Sequence, residues 1–307
     1  MDTCANLSPY EKCLAVIAHG LDALHQGDLT SAEVSFRVAL MVTQSAPPEQ
    51  ALNLVPLVLY SQSLLRLRQG RANESRQLRE QAALRMKDDT PSLEMLAFHG
   101  LMASVLEVLG EYRRAIPFYE RAIQMDRHSN DAFVMADMLW HVGNCYSRCG
   151  LKDHASVPLR AAAKVFLNHP EDPRLSAVLV ALGNALRKSA PSEAESFYRK
   201  AADLHVARAQ LQSATPAWVN LAILCSEQCR YAESLEYNDR VLRVREQSMN
   251  TPPERIGSVL NNIANCYRRM AKFTEALESV DRAIRTATAE RRLGSGGSVW
   301  NSRVDFS

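Results

Sequence analysis

Apolar side chains along this chain fall at helical spacing, and polar residues fill the positions between them. Leu139, Val142, Gly143 and Tyr146 show the pattern, as do Trp218, Leu221, Ala222 and Cys225, and again Leu260, Ile263, Ala264 and Tyr267. Steps of three, one and three residues place each set on a single helical stripe. A turn follows, marked by Gly27, Gly70, Gly110 and Gly150 in the first four cases, where glycine takes the left-handed geometry that ends a helix. A second helix then carries Ala, a large residue and Ala, as in Ala32, Phe36 and Ala39, in Ala115, Tyr119 and Ala122, and in Ala194, Tyr198 and Ala201. The pattern predicts pairs of packed helices and an all-α fold.

The pairs recur at a fixed distance. A small residue stands on the first helix at Gly20, Ser63, Ala103, Gly143, Gly183, Ala222 and Ala264, at intervals of 43, 40, 40, 40, 39 and 42 residues. Eleven or twelve residues later comes a second, at Ala32, Ser75, Ala115, Ala155, Ala194, Ser234 and Ala276. Two small anchors per period let two helices approach closely, and a period of this length is the mark of a solenoid whose units bury their apolar faces against their neighbours. The second unit departs most, with Ser63, Ser75 and an Arg79 where an aromatic ring would pack, and the fifth has a turn one residue short at Ser189 to Ser192.

Large, Leu, Gly, Tyr and then Ala, Phe, Ala at these offsets resemble the tetratricopeptide repeat (TPR). The resemblance covers nearly the whole chain. The family's usual period is about 34 residues, so the longer units here are similar to those of kinesin light chain, which Val259–Tyr267 and Trp218–Leu224 also resemble, and to those of bacterial peptide-sensing regulators. The resemblance implies a right-handed superhelical solenoid of about seven TPR-type helix pairs over residues 8–290, with a flexible tail at 291–307. Cap signals agree with the period: Ser8 with Glu11 and Thr251 with Glu254 read as capping boxes, and Thr90–Pro91, Asp172–Pro173 and Thr215–Pro216 read as further helix starts.

Composition narrows the function. The formal net charge of +2 calls for neither nucleic acid nor an anionic membrane, which need a concentrated basic face. Apolar runs such as Leu52–Leu59 are too short to span a bilayer. Met1–Lys12 carries no signal-peptide pattern, and the 7 Cys fit reduced thiols, so the reading is cytoplasmic. Without a disulfide-forming, secretory context the sequons at Asn6 and Asn73 are chance matches. No phosphate loop, HExxH or nucleophile elbow is present, and the expectation is a non-enzymatic protein without catalytic residues or cofactors.

In such stacks the first helices line a concave groove. The positions beside the small anchors are Trp140, His141, Asn144 and Arg148; Asn184, Arg187 and Lys188; Asn220 and Ser226; and Asn261, Asn262, Asn265, Arg268 and Arg269. A primary amide both donates and accepts, so a row of Asn pairs with an extended main chain whatever its side chains, while Arg takes carboxylates. Peptide-binding residues are therefore expected at Trp140, Asn144, Arg148, Asn184, Arg187, Asn220, Asn262, Asn265 and Arg268, with an extended, partly acidic protein or peptide as partner. Resemblance to kinesin light chain implies that role for the Asn residues. The competing reading is that they bond neighbouring helix backbone and lock the stack. A chaperone-type carboxylate clamp is matched only at Asn184 and Asn220, since Val180, Ser258 and Asn262 stand where its basic residues belong.

Three further readings complete the set. Asp137, His141, Cys145 and Cys149 succeed one another at intervals of four, but the face drifts by about 40° per step, so all four do not converge on one ion and no metal is expected. Cys225 and Cys229 repeat that spacing as a redox-pair candidate. Trp300 in the tail is a candidate tethered pseudo-ligand for the groove. The chain reads as an adaptor or scaffold, and the alternative is a regulator whose superhelix changes conformation around a peptide, distinguishable by a change in radius of gyration. Self-association remains open, because no polar helix follows Ala289.

Overall fold

The computed structural model describes residues 8–85, 96–126, 131–248 and 251–296. Among them are fourteen α-helices and no strand: α1 (Pro9–Gln26), α2 (Leu29–Ser45), α3 (Pro48–Arg68), α4 (Ala72–Arg85), α5 (Leu96–Val108), α6 (Tyr112–Asp126), α7 (Ala132–Arg148), α8 (Lys152–Phe166), α9 (Arg174–Leu186), α10 (Pro191–Val206), α11 (Leu211–Glu227), α12 (Tyr231–Gln247), α13 (Pro253–Arg269) and α14 (Phe273–Gly296). They form the seven expected pairs. The chain divides into two compact units, Met1–Pro158 and Leu159–Ser307. In the first, α1 packs on α2, α3 on α4 and α5 on α6, with α2–α3 and α6–α7 contacts joining successive pairs; in the second, each helix from α9 to α14 packs on the next. Helix α14 runs through the start of the segment read as a flexible tail, while Trp300 lies outside the described residues.

The small anchors explain the close pairing. All except Ala276 are buried. At Gly183 an added Cβ would stand 2.5 Å from the Tyr198 ring, and at Gly20 it would stand 2.6 Å from Phe36. The aromatic residue of the second helix thus lies directly over the small residue of the first, which is why the two recur together.

The turns share one geometry. Asp28, Arg71, Glu111, Leu151, Arg230 and Lys272 each donate their backbone N–H to the carbonyl five residues back, at 2.8–2.9 Å, the bond of a Schellman-type helix end. Glycine supplies the left-handed residue in the first four pairs, but Cys229 (φ 62°) and Ala271 (φ 59°) supply it in the sixth and seventh. The fifth pair lacks the motif, as its shorter turn requires, and Ala190 N bonds Leu186 O at 2.7 Å instead.

The caps hold in part. Ser8 and Glu11 form the capping box: Glu11 N donates to Ser8 Oγ at 3.2 Å and Ser8 N to Glu11 Oε2 at 2.8 Å. Asp172 Oδ1 accepts from Arg174 N at 2.8 Å. Thr251 and Glu254 do not form a box, because α13 starts one residue later, with Pro252 at the N-cap, Pro253 first in the helix and no side-chain acceptor. Thr215–Pro216 is not a helix start either; it lies inside α11. There the Thr215 hydroxyl donates to Gln212 O at 2.8 Å, the carbonyl that the missing Pro216 N–H would otherwise leave unserved. Thr90–Pro91 lies outside the described residues. Asp28 and Asp131 are the caps the pattern did not single out, each accepting from two backbone N–H groups at 3.0–3.2 Å.

Candidate protein-binding grooves

Two grooves, one in each unit, have opposite chemistries. In the second unit, α11, α12 and α13 enclose a cleft of about 250 Å³, lined by Ser226 and Glu227 from α11, Ser234 and Asn238 from α12, and Asn262, Asn265, Cys266 and Arg269 from α13. Its floor is set by an exception in the repeat. Four residues beyond the small anchor, Phe36, Tyr119 and Tyr198 fill the space under the first helix, whereas α12 places Asn238 there. Asn238 is 1 % exposed. Its Nδ2 donates to Ser234 O at 2.9 Å, and Ser234 Oγ in turn donates to Ala222 O at 2.7 Å. Asn238 Oδ1 is buried without a protein partner. A buried acceptor left without a partner costs about 1–3 kcal/mol, and this oxygen is closed to solvent beneath the cleft floor.

The rim is cationic and amide-rich. Arg268 Nη2 donates to Asn265 Oδ1 at 2.8 Å, which fixes the amide and leaves its NH₂ group for a ligand carbonyl. Asn262 is half-buried beside it, and Arg268 and Arg269 are exposed. Glu227 is held by Arg187 of α9 at 2.9 Å.

The other groove lies in the first unit, with a volume of about 730 Å³ between α1, α5 and α7. Leu14, Ala18, Leu96, Leu101, Val134 and Met138 make it apolar, and Glu11 and Asp137 give it an acidic rim without a Lys or Arg. One edge is tied down by a polar cluster. Glu107 Oε2 accepts from the Tyr119 hydroxyl at 2.6 Å and lies 2.8 Å from His141 Nδ1; His141 Nε2 is 3.7 Å from Asp137, and its ring stacks on Tyr119 at 5.7 Å. Burial, followed by the neighbouring Glu107, pushes the Tyr119 hydroxyl far above its ordinary value. Of the residues weighed as metal ligands, His141 therefore belongs to this cluster, and burial pushes the Cys145 thiol up to about 12, which makes it a poor ligand.

The expected groove residues divide accordingly. Asn262 and Asn265 line the second cleft and Arg268 braces it, together with Ser226 and Arg269. Asn184 is spent on its own pair, Oδ1 accepting from the Tyr198 hydroxyl at 2.8 Å. Asn220 Nδ2 donates to Pro216 O at 3.0 Å, within its own helix. Arg187 joins α9 to α11 through Glu227. Asn144 is half-buried and lines neither groove. The exposed Arg148 guanidinium lies 5.9 Å from the Tyr112 ring centre. Trp140 is half-buried against His141 with its indole N–H unpaired, next to the apolar groove but not lining it. Asn238 was missed. The signal that identifies it is the polar residue at a position where three other pairs carry an aromatic ring.

Comparison with known proteins agrees with this architecture. Tetratricopeptide-repeat family models match residues 99–132 and 213–289. Among solved structures, BtubC (BKLC) from P. vanneervenii superposes with a TM-score of 0.58 at 17% identity, over 85% of this chain and 98% of that one. The apo form of RapI gives 0.63 at 14% identity, over 90% and 77%, and a Rap protein complexed with Competence and Sporulation Factor gives 0.59 at 13%, over 91% and 77%. At these identities the likeness is one of fold. A comparison with curated proteins finds no match. Residues 99–132 and 213–289 carry the tetratricopeptide-repeat signature in sequence, and the helix pairs around them share the fold of tetratricopeptide-repeat solenoids.

Proposed function

We propose that the protein is a non-enzymatic scaffold that captures an extended, partly acidic segment of another protein, and that the α11–α13 cleft is the capture site. The observation that carries this reading is the composition of that cleft. Asn238, buried where other pairs carry a ring, leaves space beneath two groove amides, Asn262 and Asn265, with Arg269 at the mouth and Arg268 bracing Asn265. Primary amides both donate and accept and so suit a peptide main chain, which offers an N–H and a carbonyl at every residue, and the guanidinium groups select for carboxylate side chains. The apolar groove of the first unit is a separate surface of different preference, suited to apolar side chains.

The chemistry of the cleft is that of binding. Its one carboxylate, Glu227, is ion-paired with Arg187, and no nucleophile stands beside a base among its lining residues. Helices long and apolar enough to cross a membrane are absent among the described residues. The test is affinity purification with the wild type beside an Asn262→Ala, Asn265→Ala, Arg269→Glu variant whose circular dichroism matches the wild type. Partners lost only from the variant support the reading; an identical partner set overturns the cleft as the working surface.

A further inference from the structure

The groove of the first unit lies over a bare patch of helix. Gly100 lines it from the middle of α5, with Ala97 and Ser104 of the same helix and Ala15 and Ala18 of α1. Three residues before its small anchor, α5 carries this glycine where the other first helices carry Ile17, Tyr60, Trp140, Val180, Val219 and Asn261. Glycine inside a helix is unfavourable relative to alanine. At Gly20 and Gly183 a ring of the pairing helix accounts for it, since an added Cβ would stand 2.6 Å from Phe36 or 2.5 Å from Tyr198. At Gly100 an added Cβ meets nothing within 4 Å. The protein's own packing does not require this glycine, and the missing side chain leaves space in the groove.

That space is apolar with charge of one sign. Leu14, Leu96, Leu101 and Met138 line it, as does Val134, which is 43 % exposed. Glu11 and Asp137 supply carboxylates from α1 and α7, and no Lys or Arg is among the lining residues. Hydrogen bonds from Ser8 hold the Glu11 carboxyl below its ordinary value, so it is charged at neutral pH. The imidazole of the lining, His141, lies 2.8 Å from Glu107 Oε2 and 3.7 Å from Asp137. Glu11, Asp137 and Glu107 outnumber it, and the groove stays negative in either protonation state of His141. From Leu96 to Ser104 the lining of α5 runs about 12 Å, the length of roughly three or four residues of extended chain.

We propose that this groove is a second protein-binding site, and that its occupant is a short segment of a partner protein that lays a large apolar side chain over Gly100 and brings a lysine or arginine to Glu11 and Asp137. The apolar side chain fills space that the chain leaves open, and the cation complements the charge of the lining. The preference is opposite in sign to that of the α11–α13 cleft and stands independently of it.

A library of random dodecapeptides, selected on the immobilised wild type and depleted of those that a Gly100→Leu variant also retains, tests the proposal. Leucine is a better helix former than glycine, so that variant is expected to keep its circular dichroism and melt at a higher temperature with its groove filled. The surviving peptides are expected to place large apolar residues beside Lys or Arg and to avoid Asp and Glu. The affinity of one such peptide, read by fluorescence polarisation, is expected to fall at least about tenfold on Gly100→Leu. It should also fall several-fold on Glu11→Gln with Asp137→Asn, in which Gln keeps the capping box. That second loss should vanish when the peptide's cation is replaced by norleucine, which isolates the charge pairing. The Asn262→Ala, Asn265→Ala, Arg269→Glu variant should bind the peptide as the wild type does, which separates this site from the α11–α13 cleft. A selection without Gly100-dependent peptides, an acidic or uncharged consensus, an equal loss with the norleucine peptide, or self-association of the chain that Gly100→Leu abolishes would each overturn the proposal.

Discussion

Asn238 on α12 stands where Tyr198 stands on α10, four residues beyond the small anchor of its helix, and the absence of the ring opens the cleft beneath α11 and α13. Tyr198 fills its site and donates to Asn184, whereas Asn238 leaves a void and an unpaired oxygen. A position that packs the core in one pair thus becomes a binding feature in another.

The exchange can be reversed. Asn238→Phe is expected to fill the cleft, remove the unpaired acceptor and raise stability by about 1 kcal/mol, while reducing partner capture at least about tenfold, a loss of about 1.4 kcal/mol in binding. Thermal melts read beside pull-down yield check this. A variant that gains stability and keeps its partners would place binding elsewhere.

A second prediction concerns the turns. Ala271 holds φ 59°, where a Cβ crowds the following carbonyl and costs about 1–2 kcal/mol. Ala271→Gly is expected to stabilise the fold by about 1 kcal/mol, and Gly27→Ala, at φ 82° with nothing within 4 Å of an added Cβ, to destabilise it by a similar amount for the backbone reason alone. Urea titrations of the two variants, read against the wild type, decide the matter.

The seven pairs were legible because the signal for each is local and repeats: a stripe, a turn, a small residue and a ring. Helix starts were less so. A cap depends on where the helix actually begins, and Thr251 and Thr215 were displaced from that role by Pro252 and by the earlier start of α11. The groove was legible by halves. Asn184 and Asn220 lie within reach of a facing tyrosine and of their own helix carbonyl, and Asn262 and Asn265 line open space; the same residue type at the same offset does both, and only the neighbouring side chains decide. Asn238 was readable as a break in the aromatic pattern.

The close approach at the first anchors yields a third prediction. Gly183→Ala is expected to destabilise by about 1–3 kcal/mol, since its Cβ would stand 2.5 Å from the buried Tyr198 ring. The cost should shrink in a Tyr198→Leu background, where no ring occupies that space. Equal losses in both backgrounds, measured as a double-mutant cycle by denaturant unfolding, would show that the glycine is not there to admit the ring.

The pH dependence of the second unit turns on Glu195. Burial pushes its carboxyl up, but hydrogen bonds from Arg199 and Arg230 outweigh burial and hold the group below its ordinary value of 4.5; the carboxylate oxygens lie 2.6 Å from each guanidinium. Arg230 belongs to the turn before α12 and Glu195 to α10, so the pair ties adjacent repeats together. A folded-state value below the unfolded one means that the unfolded chain binds the proton more readily, so the contribution is fully present above about 4.5 and disappears as pH falls through the lower, folded value. Glu195→Gln is accordingly expected to be less stable than the wild type at pH 7, with the gap closing as the solution is acidified below pH 4.5. Denaturant midpoints of the two proteins measured from pH 7 downward test it, and a gap that stays constant across that range would mean that Glu195 acts through packing and not through its charge.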